Sequence, residues 1–131
     1  MQAAVERIGA LGVIGTIPGG FNARVGERGR GLSSGQRQII ALARAEMLTP
    51  AVLLLDEATA TLDPATERAV LDASDRAMAG RTSVVVAHRL ATAARADRIL
   101  VIDEGRIIED GCHEDLISAG GRYAHMWAVN R

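Results

Sequence analysis

The sequence has no lysine: all 15 of its basic residues are arginines. It has a single cysteine, Cys112, so an internal disulfide is excluded and a reducing compartment is indicated. Aromatic residues are also scarce, with one Phe, one Tyr and one Trp, so the core must be built from Ala, Val, Leu and Ile. No apolar run approaches the ~20 residues of a membrane span. This favours a soluble, intracellular chain that serves a membrane only from its surface or through a partner.

The composition is that of one globular domain. The 131-residue chain is 48% hydrophobic and 24% charged, which excludes disorder as the general state. Its formal net charge is −1, which argues against a protein that coats nucleic acid.

Helical and strand-like patterns alternate along the chain, which predicts an α/β fold with a mostly parallel sheet and flanking helices. Residues 51–55 and 82–87 are short, continuously apolar runs, the pattern of strands covered on both faces. Residues 35–48 predict a helix that Thr49 and Pro50 end, with a buried face formed by Ile39, Leu42, Ala43 and Met47.

The second half of the chain predicts three further features. A helix begins at Pro64 behind the N-cap Asp63 and ends before Gly80. A hairpin turns at residues 103–105. Residues 113–129 predict one or two terminal helices.

Three polar side chains follow the predicted strands. Asp56 and Glu57 end the first strand, and His88 follows the second, at the sheet edge where α/β proteins bind ligands. Asp56 has the chemistry to hold Mg²⁺, Glu57 to orient or deprotonate a water, and His88 to donate to a phosphate oxygen. Taken alone, each residue also has a simpler interpretation, because carboxylates cap loops and a histidine is satisfied by backbone groups.

The stretch LSSGQ, residues 32–36, precedes the first long helix. Unpaired N–H groups and the positive end of the helix dipole make such a position an anion site, and the hydroxyls of Ser33 and Ser34 add donors. Ordinary N-capping is the alternative, and it explains the serines but not Gly35 and Gln36.

Four motifs in order carry a family resemblance: GERG with LSSGQRQ, then VLLLDEAT, then ATATLD, then VVVAHRL. Together they resemble the nucleotide-binding domain of ATP-binding cassette (ABC) proteins, and the flanking segments GRTSVVVAHRLATAARADRI and VIDEGRIIEDGCHEDLISAGGRYAHM are similar to the exporter branch. LSSGQ resembles the signature loop, which is used below for residues 32–36. VLLLDE resembles the Walker B strand, ATATLD the D-loop, and His88 the switch histidine.

The resemblance implies an ATP site shared by two cassettes that pair head to tail. In the family, one cassette supplies the phosphate loop and Walker B, and the other closes its signature loop on the γ-phosphate. Leu32, Ser33, Ser34, Gly35 and Gln36 would then bind ATP in trans. By the same resemblance Asp56 serves Mg²⁺, Glu57 polarises water, His88 contacts the γ-phosphate, and Asp63 communicates across the pair.

The phosphate-binding loop G-x-x-x-x-G-K-[ST] is absent, because the sequence has no lysine. We therefore expect a C-terminal portion of a cassette, with residues 1–48 in the helical signature part and 49–131 running from Walker B to the C-terminus. Alone, this chain is predicted to be inactive. Ser34 stands where the family most often has Gly. If that position needs a positive φ, its Cβ costs ~1–2 kcal/mol; if not, the serine adds a donor. Ala60 replaces the more usual serine of the D-loop.

The resemblance implies a parent exporter, with a transmembrane domain as partner and a location on the cytoplasmic side of the membrane. Two alternatives stay open: a cassette ATPase that acts on DNA or ribosomes, and a non-catalytic fragment that pairs without hydrolysing ATP. The exporter-like flanks favour the first interpretation.

Overall fold

A computed structural model describes residues 1–56 and 62–130, and at Arg28 the backbone alone. Contacts divide the chain into two compact units: residues 1–55 with 62–84, and Asp56 with 85–130. No helix among these residues has the length and apolar character to cross a bilayer.

The elements alternate as the sequence predicts, and the mixed fold with its parallel sheet and flanking helices is confirmed. Two short helices precede two 3₁₀ turns at Gly20–Asn22 and Glu27–Gly29, and seven helices and four strands are described in all. In chain order they are α1 (Gln2–Arg7), α2 (Leu11–Gly15), α3 (Ser34–Leu48), β1 (Val52–Asp56), α4 (Pro64–Met78), β2 (Thr82–Val86), α5 (Leu90–Ala93), β3 (Ile99–Asp103), β4 (Arg106–Gly111), α6 (His113–Ala119) and α7 (Arg122–Val129).

Helix α3 has the predicted extent but a different buried face. It ends at Thr49, which adopts a left-handed conformation with φ of 44° before Pro50. Ile39, Leu42 and Ala43 are buried, but Met47 is 50% exposed and Glu46 is buried instead. The prediction was wrong at Met47 because two arginines neutralise Glu46, and the pairing lets a charged residue occupy the core-facing position.

The core of the first unit lies where α1, α2, α3 and α4 meet one face of β1. Its members are small or aliphatic: Val5, Ile8, Ala10, Ile14, Ile17, Ile39, Leu42, Ala43, Leu53, Ala73 and Ala77. Leu55 packs against this cluster, on the same face of the strand as Leu53.

Strands β1 and β2 pair with each other, but the prediction that both of their faces are covered was wrong. Side chains alternate along a strand, and in the first unit Val52 and Leu54 are 59% and 70% exposed while Leu53 is buried. Val84 on β2 is 51% exposed. The continuous apolar pattern arises because both faces of these strands carry hydrophobic side chains, whereas the described residues of the chain cover only one face.

The second unit is built on the predicted hairpin. Strands β3 and β4 are antiparallel and shift register between Val101 and Ile102. Glu104 and Gly105 have φ of 46° and 75°, the paired positive values of a tight hairpin turn. Ile99, Leu116 and Tyr123 form its core, and burial raises the pKa of the Tyr123 phenol.

Helix α7 is tied to β4 by a carboxylate. Glu109 accepts hydrogen bonds from the backbone N–H groups of Arg122 and Tyr123, at 2.5 and 2.9 Å. These are among the first N–H groups of α7, which have no acceptor within the helix. The hairpin thus fixes where α7 begins.

Candidate functional site

The signature loop leads into α3 through a capping box. Ser33 Oγ accepts from the Gln36 N–H at 3.1 Å, and Gln36 Oε1 accepts from the Ser33 N–H at 2.8 Å. The pattern S-x-x-Q before an apolar run is the sequence sign of this arrangement. Capping therefore accounts for both Ser33 and Gln36, whereas the sequence alone indicates a capping role for the serines and not for Gln36.

Capping leaves Ser33 able to bind an anion. Its side chain is exposed, and a hydroxyl that accepts one hydrogen bond still has its own proton to donate. The N–H groups of Ser34 and Gly35 lie in the first turn of α3, where a helix offers them no acceptor. Three potential donors therefore lie at the N-terminal end of a 15-residue helix, where the helix dipole is positive.

The side chain of Gln36 forms hydrogen bonds with two other residues of this chain, Ser33 and Thr16. Besides capping Ser33, its Nε2 donates to Thr16 Oγ1 at 3.0 Å, and Thr16 donates to the Val13 carbonyl at 2.7 Å. This links the signature loop to α2. Sequence reasoning missed Thr16, because a partner 20 residues away leaves no local pattern.

Ser34, which stands where the family most often has Gly, fits the backbone without strain, whereas position 35 requires glycine. Ser34 is the first residue of α3 and is not among the residues with positive φ, so its Cβ brings no backbone strain. Gly35 is buried, and a Cβ there would collide with Thr66 Cγ2 on α4. Packing against α4 therefore requires glycine at position 35 and not at position 34.

Beside the signature loop an open cleft of about 360 Å³ separates α2 from the first turns of α3 and α4. It is lined by small and polar residues that include Gly9, Gly12, Thr16, Ser33, Gln36 and Thr66.

Asp63 caps α4 as predicted. Its side chain accepts from the Thr66 N–H at 3.0 Å, and this hydrogen bonding by Thr66 lowers the pKa of the Asp63 carboxyl. Because Thr66 also faces Gly35, the capped end of α4 and the first turn of α3 pack directly against each other in the first unit.

Asp56 and His88 lie together in the second unit. His88 Nε2 is 3.6 Å from Asp56 Oδ1, which is too long for a good hydrogen bond but close enough for an ion pair when the imidazole is protonated. The His88 side chain is 49% exposed and the Asp56 side chain is 79% exposed. The juxtaposition expected from neighbouring strands is present, and both side chains are exposed to solvent.

Glu57 and Ala60 fall outside the described residues. Within 1–56 and 62–130, no group of three or more His, Cys, Asp or Glu side chains could hold a metal ion. Asp56 by itself is compatible with Mg²⁺, since that ion binds through one or two carboxylates and keeps waters or phosphate oxygens as its other ligands.

Comparison with known proteins gives one consistent result. A family model described as ABC transporter matches residues 8–60. A multidrug efflux ATP-binding/permease protein of Mycobacterium bovis is 46% identical over 130 residues, 99% of this chain and 11% of the relative. An ATP-dependent lipid A-core flippase of Burkholderia orbicola is 48% identical over 129 residues, 98% of this chain and 22% of the relative.

A solved structure agrees with these relatives. A bacterial Atm1-family ABC exporter with ATP bound matches 98% of this chain and 22% of its own, with a TM-score of 0.83 and 43% identity. The chain thus spans 11% to 22% of the length of these proteins.

Proposed function

This chain belongs to the ATP-binding cassette family and forms part of an exporter-type nucleotide-binding domain, and from that premise we propose that its signature loop closes on ATP held by a second cassette. The Ser33 hydroxyl and the N–H groups of Ser34 and Gly35 donate to the γ-phosphate. Leu32 and Gln36 complete the loop. Its occupant is the nucleotide of the head-to-tail partner.

The observation that carries this proposal is the state of Ser33. It caps a 15-residue helix, is exposed, and keeps its hydroxyl proton while its oxygen accepts from Gln36. An oxyanion placed there receives preorganised donors and the positive end of the dipole, and needs no rearrangement of the loop.

The remaining site residues serve a second nucleotide, on the Walker B side of this chain. Asp56 holds Mg²⁺, which neutralises charge on the β- and γ-phosphates when it is bound. Glu57 orients or deprotonates the attacking water, and His88 donates to the γ-phosphate. Asp63 stands at the start of α4 and communicates between the paired cassettes through the D-loop.

The parent protein is proposed to be an exporter. The relatives are named as an efflux protein, a flippase and an exporter, which favours transport over action on DNA or ribosomes. A transmembrane domain is then the second partner, and the cassette lies on the cytoplasmic side of the membrane.

A trans-complementation assay tests the proposal. A complete exporter-type cassette is made with arginine in place of its own signature serine. ATP bound to this cassette then needs the signature loop of another chain for turnover. Adding this chain should restore ATP turnover in the mixed pair. The Ser33→Arg chain should restore roughly 10²-fold less, because the new side chain fills the γ-phosphate seat.

Ser118→Arg is the matched control, because Ser118 is an exposed serine on α6 whose hydroxyl donates to the nearby Glu114 carbonyl. It should restore turnover as the unchanged chain does. Equal restoration by Ser33→Arg, or none by a folded unchanged chain, would remove the role assigned to the signature loop.

A further inference from the structure

We propose that Arg37 is a positioning residue that fixes the signature loop from behind, without touching the nucleotide. The inference rests on the proposed function of that loop. Arg37 Nη1 donates to the Leu32 carbonyl at 2.7 Å, so the guanidinium folds back over the first turn of its own helix and holds the residue that opens the loop.

The position of this arginine is unusual on electrostatic grounds. A positive charge in the first turn of a helix opposes the helix dipole, which favours acidic residues there. The interaction with the Leu32 carbonyl supplies a compensating charge-assisted hydrogen bond. Arg37 is therefore explained by what its side chain holds and not by helix formation.

A glycine makes room for the arginine stem. A Cβ at Gly29 would come within 2.9 Å of Arg37 Cδ, and Gly29 has a φ of 75°. Gly29 also accepts from the Leu32 N–H at 3.1 Å. Leu32 is thus held by its N–H to Gly29 and by its carbonyl to Arg37, which joins the loop of residues 26–31 to the signature loop.

The consequence is mechanical coupling. A displacement of residues 26–31 shifts the stem of Arg37 and the amide of Leu32 together, and these fix the approach to Ser33. Arg37 transmits the position of that loop to the donors that face the γ-phosphate.

Hydrogen exchange of this chain, measured without nucleotide, tests the positioning role. Arg37→Met keeps the stem over Gly29 but removes the donors. Exchange at the Leu32, Ser33 and Gln36 amides should rise roughly fivefold to tenfold, while amides in the middle of α3 stay unchanged. Arg37→Lys keeps the charge and one donor group. Its exchange rates at these amides should lie between those of the unchanged chain and those of Arg37→Met.

Arg44→Met is the matched control, since Arg44 is exposed on the same helix. Gly29→Ala is the reciprocal variant, and it should raise exchange at the same three amides by displacing the arginine stem. Unchanged exchange in both Arg37→Met and Gly29→Ala would overturn the positioning role.

The complementation assay supplies the functional readout. Arg37→Met should require roughly fivefold to tenfold more chain for half-maximal restoration, with the maximal turnover retained. If the unchanged chain restores nothing, the proposed function fails while the exchange result still decides the role of Arg37. If the unchanged chain restores turnover and Arg37→Met matches Arg44→Met in both assays, the positioning role alone fails.

Discussion

Gly35 lies in the first turn of α3, where its Cα faces the methyl group of Thr66 on α4. Gly35→Ala introduces a Cβ that collides with Thr66 Cγ2, so the two helices must separate or Thr66 must leave its rotamer. Overpacking of this kind costs ~1–3 kcal/mol. We expect that loss in the free energy of unfolding, measured by urea titration.

Thr66→Ser removes the colliding methyl and keeps the hydroxyl, so it provides the partner for a double-mutant cycle. Gly35→Ala with Thr66→Ser should recover most of the lost stability, with a coupling of ~1 kcal/mol or more. Simple additivity of the two changes would show that Gly35 is required for something other than its contact with Thr66.

At the scale of elements, Glu46 joins α3 to two other parts of the first unit. Its Oε1 accepts from Arg7 Nε of α1 at 2.8 Å, and its Oε2 accepts from Arg81 Nη2, next to β2, at 2.9 Å. The carboxylate is 7% exposed and Arg81 is 16% exposed. Glu46→Gln leaves Arg81 as an unpaired and largely buried charge, which we expect to lower the free energy of unfolding by ~3 kcal/mol.

The Glu46 carboxylate should also make the free energy of unfolding depend on pH. The hydrogen bond from Arg7, with the charge of Arg81, lowers the pKa of the Glu46 carboxyl below its usual 4.5. The stabilisation is therefore present above pH 4.5 and is lost as pH falls through the lower folded-state pKa.

Urea titrations between pH 2 and pH 6 check both effects. Glu46→Gln should flatten the loss of stability in the acid range, whereas Glu6→Gln, at an exposed position on α1, should follow the unchanged chain. A Glu46→Gln variant with unchanged stability at pH 6 would contradict the buried pairing.

The sequence predicted elements well wherever the cause is local. The bounds of α3, the Asp63 cap of α4 and the turn at Glu104 and Gly105 each follow from a few neighbouring residues. Predictions failed where the cause is tertiary. Met47 was placed in the core, since the pattern could not foresee that Arg7 and Arg81 would pair with Glu46.

The candidate site divides in the same way. The motifs predict the signature loop, Asp56 and His88 as site residues, and these roles stay predictions. The capping box at Ser33 and Gln36, which the structure shows, has its own sequence pattern. Thr16 and Thr66 were missed because they meet the loop only through the packing of α2 and α4. Arg37 was missed because nothing in a sequence says that an arginine folds back onto a carbonyl.

At the scale of the whole molecule, the proposed function assigns to this chain one side of each of two ATP sites shared with a second cassette. The chain has the donors of the signature loop and the carboxylate Asp56, but its sequence has no lysine for the phosphate-binding motif. Phosphoryl transfer in this class depends on a cradle of backbone N–H groups and a lysine at the β- and γ-phosphates. We therefore expect the purified 131-residue chain to bind ATP weakly and not to hydrolyse it by itself.

The measurement is phosphate release from Mg²⁺ and ATP by the purified chain, after its association state has been checked by sedimentation. That check matters because Val52, Leu54 and Val84 are exposed on the β1–β2 sheet, and an open apolar sheet face promotes association. Glu57→Gln identifies turnover by a contaminating ATPase, which the substitution would leave unchanged. Turnover by the monodisperse chain that disappears in Glu57→Gln would mean that these residues form a complete ATPase site, with a phosphate-binding device other than the lysine loop.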